Sequence, residues 1–245
     1  MWPILFHIGP FPIYSYGVSL AVAAVLCSWL LTKDAAKRGI NAATVNDLVF
    51  WLVLSGIAGA RLFYVYLAWD YYADNLGEVL LLNKGGLAWQ GGFIGAVAAG
   101  FVFSRRHKIA IGVLFDLAAP YIALGQAIGR LGCFANGCCY GKPVAWGIYF
   151  PIHHAHLHPT QLYEAGSLLL IYVLLKWAGK QTFKPGMIFV GYLWLVAIER
   201  FVVEFYRADQ MAVLGYLSLF QWISIVIFIV GLIIALSPLG QRRGK

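Results

Sequence analysis

Seven apolar stretches, each about 20 residues long and therefore long enough to cross a bilayer, set the terms for this chain. They run over roughly 13–32, 47–69, 86–104, 112–130, 160–178, 186–206 and 216–237. The runs are continuous, not alternating, which argues for helices and against a β-barrel. Only 11% of the 245 residues are charged and 61% are hydrophobic, whereas a soluble domain carries about 25% charged residues. The expected fold class is an all-α integral membrane protein of about seven transmembrane helices, built as a single domain over residues 1–245. No linker, repeat or low-complexity tract divides it. The opening MWPILFHIGP has neither a basic region nor a small-residue cleavage site, so no cleavable signal peptide is expected. The fourth stretch is the least continuous, interrupted by Asp116, Pro120 and Gln126.

A net charge of +8 would suggest nucleic acid in a soluble protein. Here the basic residues lie in short loops, and they read as a topology signal. Lys33, Lys37 and Arg38 follow span one; Arg105, Arg106 and Lys108 follow span three; Lys176, Lys180 and Lys184 surround the end of span five; Arg242, Arg243 and Lys245 close the chain. With seven spans, these 12 of the 18 basic residues share one side. The loop after span two has Asp70, Asp74 and Glu78 against Lys84. The positive-inside rule places the N-terminus outside and the C-terminus in the cytoplasm.

That orientation assigns a depth to each buried polar residue. Tyr16, Arg61, Gln90, Arg130, His158, Gln161, Tyr163, Glu164, Arg200, Glu204 and Arg207 fall in or beside the outer half, and Asp116 falls near the inner end. A charge inside a membrane costs about 3 kcal/mol on insertion scales, so it needs a partner and usually marks a site. Arginine and glutamate from several spans converge at one depth, with arginine in excess. Such an excess suits a lipid phosphate at headgroup level; guanidinium stays charged there and grips phosphate through paired hydrogen bonds. Inter-helix ion pairing is the structural alternative. Arg130 and Arg200 are the leading phosphate ligands, and Glu204 and Arg207 are spaced to hold one another. The patterns Ser55-xxx-Gly59, Gly91-xxx-Gly95 and Gly125-xxx-Gly129 read as helix-packing surfaces.

Between spans four and five runs Gly129-Arg130-Leu131-Gly132-Cys133-Phe134-Ala135-Asn136-Gly137-Cys138-Cys139-Tyr140-Gly141. Its four glycines allow tight turning and close backbone approach. Further blocks are His158-Pro159-Thr160-Gln161-Leu162-Tyr163-Glu164 and Arg200-Phe201-Val202-Val203-Glu204-Phe205-Tyr206-Arg207, with Tyr16-Gly17, Gly59-Ala60-Arg61, Gly85-Gly86 and Gly91-Gly92-Phe93-Ile94-Gly95 earlier in the chain. In this order, along almost the whole chain, these blocks resemble the bacterial phosphatidylglycerol–prolipoprotein diacylglyceryl transferases, as a divergent member.

The resemblance implies transfer of the sn-1,2-diacylglyceryl group of phosphatidylglycerol to the lipobox cysteine of a prolipoprotein signal peptide. A thioether forms and glycerol-1-phosphate leaves, without a metal or other cofactor. The implied place is the bacterial cytoplasmic (inner) membrane, multi-pass, with the site facing the outer leaflet; the partners are membrane lipids and the prolipoprotein, not nucleic acid. Arg130 and Arg200 would bind the phosphate and stabilise the charge it gains on leaving. Tyr16 would orient it, and His158 or Glu204 would accept a proton. Arg61, Gln90, Asn136, Gly141, Gln161 and Arg207 complete the candidate substrate contacts. The chain departs from the family pattern at Gln90 (usually histidine), Cys133 (asparagine), Cys138 (acidic) and Val196 (tyrosine). Gln90 takes no proton at neutral pH, so a histidine base at that position has no counterpart here. A paralogue with another acceptor, and a non-enzymatic lipid-binding or transport protein, remain as alternatives.

Cys133, Cys138 and Cys139 lie close in sequence to His153, His154, His156 and His158. The spacing fits no standard zinc pattern, and no metal is expected. A disulfide from Cys133 to Cys138 or Cys139 stays open on an oxidising face, and Cys27 reads as packing.

Overall fold

The computed structural model describes residues 1–9, 11–81, 85–208, 212–214 and 216–236. After a short ribbon of β1 (Ile4–Ile8) and β2 (Phe11–Tyr14) come α1 (Ser15–Lys37), α2 (Ala42–Leu67), the one-turn α3 (Trp69–Tyr72), α4 (Trp89–His107) and α5 (Ile111–Asn136). There follow β3 (Pro143–Phe150), β4 (Ala155–Leu157), α6 (Thr160–Ala178), α7 (Met187–Glu204), β5 (Ala212–Leu214), β6 (Leu217–Ser218) and α8 (Leu219–Leu236). The fold is mostly helical. Among the described residues α1, α2, α5 and α8 are long and apolar enough to cross a membrane. Helices α4, α6 and α7, of 19, 19 and 18 residues, coincide with the other three expected stretches. Lys84 and the tail residues Arg242, Arg243 and Lys245 lie outside the described residues.

The strands are a departure from an all-α chain. They form three two-stranded antiparallel ribbons, β1 with β2, β3 with β4 and β5 with β6. The β3–β4 ribbon occupies the histidine-rich connection before α6, where apolar runs gave no signal.

The contacts gather into two compact units, residues 32–114 and the remainder. In the first, α2 and α4 run antiparallel with their backbones in touch. A Cβ on Gly91 would overlap the Gly59 carbonyl and the Phe63 side chain, and one on Gly95 would overlap the Ser55 carbonyl. The two small-xxx-small patterns are therefore the two halves of one contact. Leu48, Phe103 and Leu114 form a small core at the other end of this pair. The loop after α3 is gathered by Arg61. Its five N–H groups donate to the carbonyls of Glu78, Val79, Leu81, Gly85 and Gly86, at 2.7–3.1 Å.

In the second unit, α5 is central. Ala119, Ala123 and Ala127 make a narrow stripe on it, and Leu168, Ile171 and Leu175 of α6 and Ile188 and Tyr192 of α7 pack there. Two of the residues that interrupt the apolar run of α5, Asp116 and Gln126, meet partners at the start of and along α7. Asp116 accepts from the backbone N–H groups of Gly186 (2.6 Å) and Phe189 (2.9 Å), capping the start of α7 from a neighbouring helix. Gln126 accepts from Tyr192 at 3.0 Å. Helix α1 lies along Gly125, Gly129 and Gly132: Cys27, Leu20 and Ser19 stand at the place of the missing Cβ atoms. These contacts bring the C-terminal ends of α5 and α7 and the N-terminal end of α6 to the same end of the unit.

Candidate active site

At that end, one carboxylate holds three arginines. Glu164, in the first turns of α6, has a side chain 1% exposed. Arg130 Nε of α5 lies 2.5 Å from its Oε2, Arg200 Nη1 of α7 lies 2.7 Å from its Oε1, and Arg207 Nη1 lies 3.7 Å from the same Oε1. A second carboxylate, Glu204, sits 2.8 Å from Arg200 Nη2 and 3.8 Å from Arg207 Nε. Its other oxygen accepts from the Ser218 hydroxyl at 2.8 Å. The Arg200 guanidinium also lies over the Phe220 ring, 4.7 Å from its centre. So three guanidinium groups share two carboxylates in this network, with the Glu199 carboxylate of α7 also in electrostatic reach of Arg130 and Arg200. Arg130 is its most open member, with 29% of its side chain exposed against 18% for Arg200 and 6% for Arg207. Glu164 meets it at Nε, and its partial exposure leaves it open to an anion.

The backbone around the network is tied by short ladders. Gly141 bridges to Arg207, and its N–H donates to the His158 carbonyl at 2.9 Å. A Cβ on Gly141 would come within 2.5 Å of both His158 Cβ and the Tyr206 carbonyl oxygen, so only glycine fits between them. Lys142 adds a backbone bond to Tyr206 and a side-chain bond to the Phe205 carbonyl, 2.8 and 2.9 Å. Gln161 and Thr160, both fully buried, donate to the carbonyls of Cys138 (2.6 Å) and Cys139 (2.8 Å). The buried Gln161 Oε1 has no hydrogen-bond partner among the described residues.

A groove of about 770 Å³ opens between α6 and α7, with Trp146, His158 and Tyr206 at one end. It follows α6 from Tyr163 to Leu174, about 16 Å at 1.5 Å per residue. Leucine, isoleucine and valine line most of it, with Ser167 and Glu199 as a polar pair, 3.2 Å apart, in its wall. His158 Nδ1 meets the Tyr163 hydroxyl at 3.2 Å and its ring meets the Trp146 ring edge-on. Tyr163 adjoins Glu164 and Val203 adjoins Glu204, so groove and ion network share the ends of α6 and α7.

Of the residues expected at the site, Arg130, Arg200, Arg207, Glu204, His158, Gln161 and Gly141 come together here. Tyr16 is near them: its ring lies 3.4 Å from the place of a Gly132 Cβ. Asn136 ends α5. Arg61 is buried and committed to the carbonyls of its own loop, and Gln90 is exposed in the first turn of α4; both belong to the other unit. Glu164 is the residue whose weight was missed. It was visible as a buried acid one turn after Gln161, but nothing in the sequence says that three arginines share it.

Beside the network, Cys133, Cys138 and Cys139 are free thiols whose sulfurs lie within 4.8 Å of one another. The Cys139 thiol lies well below the usual cysteine range: it is hydrogen-bonded by Cys133, and Arg207 and Arg130 stand beside it.

The whole of this arrangement sits inside a segment, residues 3–237, that matches the prolipoprotein diacylglyceryl transferase family model. The chain belongs to that family. It is similar to the phosphatidylglycerol–prolipoprotein diacylglyceryl transferase of Geobacillus kaustophilus, 36% identical over 98% of this chain and 93% of that one. The protein of the same name from Lysinibacillus sphaericus is 35% identical over 99% and 93%. That from Bacillus mycoides is 37% identical over 94% and 89%. The matched segment includes every arginine and glutamate of the network.

Proposed function

We propose that this protein transfers the diacylglyceryl group of phosphatidylglycerol to the lipobox cysteine of a prolipoprotein, the first step of lipoprotein maturation. The acceptor sulfur attacks the sn-3 carbon of the lipid glycerol. The bond from that carbon to the phosphate oxygen breaks, and glycerol-1-phosphate leaves with the electron pair. One observation carries the reading beyond family membership: Arg130 and Arg200, from separate helices, meet on one buried carboxylate beside an apolar groove. Arg130, the most open of the three arginines, offers its guanidinium to the phosphate, and Arg200, fixed by Glu164, Glu204 and Phe220, adds positive potential. Both act most strongly as charge builds on the leaving phosphate. The groove along α6 takes an apolar chain. Gln161 Oε1 offers an acceptor to a lipid hydroxyl, and Tyr16 and Asn136 border the headgroup.

For the acceptor's proton, His158 suits better than Glu204. Both Glu204 oxygens have partners in Arg200, Arg207 and Ser218, whereas His158 has a second ring nitrogen and lines the groove. Seven spans, with the N-terminus outside, put the network at the outer leaflet of the cytoplasmic membrane. Arg61 holds its own loop through the carbonyls of Glu78, Val79, Leu81, Gly85 and Gly86, and Gln90 can offer hydrogen bonds but no proton acceptor. The test is release of glycerol phosphate from phosphatidylglycerol vesicles by the purified protein, with and without a lipobox peptide. Release that requires the peptide and its cysteine is expected. Equal release with a serine-substituted peptide would contradict the assigned acceptor.

A further inference from the structure

Three thiols stand at the site with no task in the transfer reaction. We propose that Cys133, Cys138 and Cys139 form a binding site for a soft, thiophilic metal ion, and that its preferred occupant is Cu(I). The sulfurs lie within 4.8 Å of one another. An ion with three sulfur bonds of about 2.3 Å holds them about 4 Å apart, so closure asks for a contraction of about 1 Å at most.

The convergence is built into the backbone. Adjacent side chains on an extended chain point opposite ways, and Cys138 and Cys139 would not ordinarily face the same partner. Here Gly137 turns the chain at φ +76° as it leaves α5, and Cys139 has φ +63°. The Cys138 N–H returns to the Cys133 carbonyl at 3.2 Å, and the Cys138 thiol points to the same carbonyl at 3.7 Å. The carbonyls of Cys138 and Cys139 are pinned from below by the fully buried Gln161 and Thr160. The trio is thus held by α5 on one side and α6 on the other.

The donor set selects the ion. All three ligand atoms are sulfur, and the group includes no histidine or carboxylate among the described residues. Soft thiolates favour Cu(I) and zinc over harder ions. Zinc completes a tetrahedron and would need a fourth ligand from outside, whereas Cu(I) is content with three sulfurs in a plane. A copper tris-thiolate carries negative charge, and Arg207, hydrogen-bonded to Cys139, and Arg130 beside it offset that charge.

The test uses the purified full-length protein under reducing, oxygen-free conditions, with Cu(I) delivered from a competing chromophoric chelator. One equivalent of copper is expected to bind, with X-ray absorption showing three sulfurs at about 2.3 Å. Cys133→Ser, Cys138→Ser and Cys139→Ser should each weaken binding at least a hundredfold, and Cys27→Ser should leave it unchanged. Fewer than three sulfurs on the wild-type copper would overturn the proposal without any variant. So would binding indifferent to Cys138→Ser and Cys139→Ser, tighter retention of Zn(II) than of Cu(I), or isolation of the protein with a disulfide inside the trio. The glycerol phosphate assay bears on a separate claim, so either result can fail alone.

Discussion

Glu164 shows how one side chain organises a site. Its carboxylate is buried, and it is the common partner of Arg130, Arg200 and Arg207. Removing one partner of a buried ion pair costs about 3–5 kcal/mol, because the remaining charge is stranded. Glu164→Gln keeps the shape and removes the charge, stranding Arg130 and leaving Arg200 and Arg207 on Glu204. The expected loss is about 3 kcal/mol, read as a drop of several degrees in the thermal midpoint of the detergent-solubilised protein. A midpoint within a degree of wild type would show that the arginines do not depend on Glu164. At this scale the sequence showed the parts and hid the pairing. Buried charge in an apolar run marks a site by its cost alone, which singled out Arg130 and Arg200. Which carboxylate each one meets is set by three helix ends meeting, and no local pattern records that. Arg61 illustrates the same limit: its burial was foreseeable, but its five loop carbonyls were not.

Helix pairs were the most readable part of the chain. Ser55, Gly59, Gly91 and Gly95 recur four apart, and that spacing presents a flat strip to a neighbour. The structure sets the two strips on each other. Gly91→Leu would drive a side chain into the Gly59 carbonyl and Phe63. It should separate α2 from α4 and sharply reduce the yield of folded protein in membranes, with an equally large drop in protease resistance. Gly166→Leu, at a position with open space around its Cβ, is the matching control and should fold normally. If Gly91→Leu folded as well as the control, the close approach of the two backbones would be refuted. The ribbons were less readable. Pro143–Phe150 pairs with Ala155–Leu157 across a register irregularity, so its alternation is broken and the apolar signal stays weak. The clustering of the cysteines was likewise hidden, since it depends on the left-handed conformation of Cys139.

For the molecule as a whole, the apolar surface and the placement of charge describe a multi-pass membrane protein. Many large apolar side chains of α8, among them Val226, Ile229, Val230, Ile233 and Leu236, are exposed, as lipid-facing residues are. The proposed orientation puts Lys37, Arg105 and Lys180 in the cytoplasm and Tyr149 outside. Single cysteines placed at Lys180 and at Tyr149, in a chain lacking its own four, should therefore label from opposite sides of intact cells. Labelling from the same side would undo the seven-span count. Helices α5, α6 and α7 alternate in direction, since the ends that form the network lie together.

The central claim is that Arg130 and Arg200 act together on the lipid phosphate, and a single-turnover comparison of Arg130→Lys and Arg200→Lys with wild type tests it most directly. Lysine keeps the charge but loses the planar, paired hydrogen-bond geometry. At saturating phosphatidylglycerol and lipobox peptide, each variant should release glycerol phosphate at least about 100-fold more slowly, the scale of losing one group that stabilises developing charge, with a thermal midpoint close to wild type. Wild-type rates in both folded variants would contradict the account.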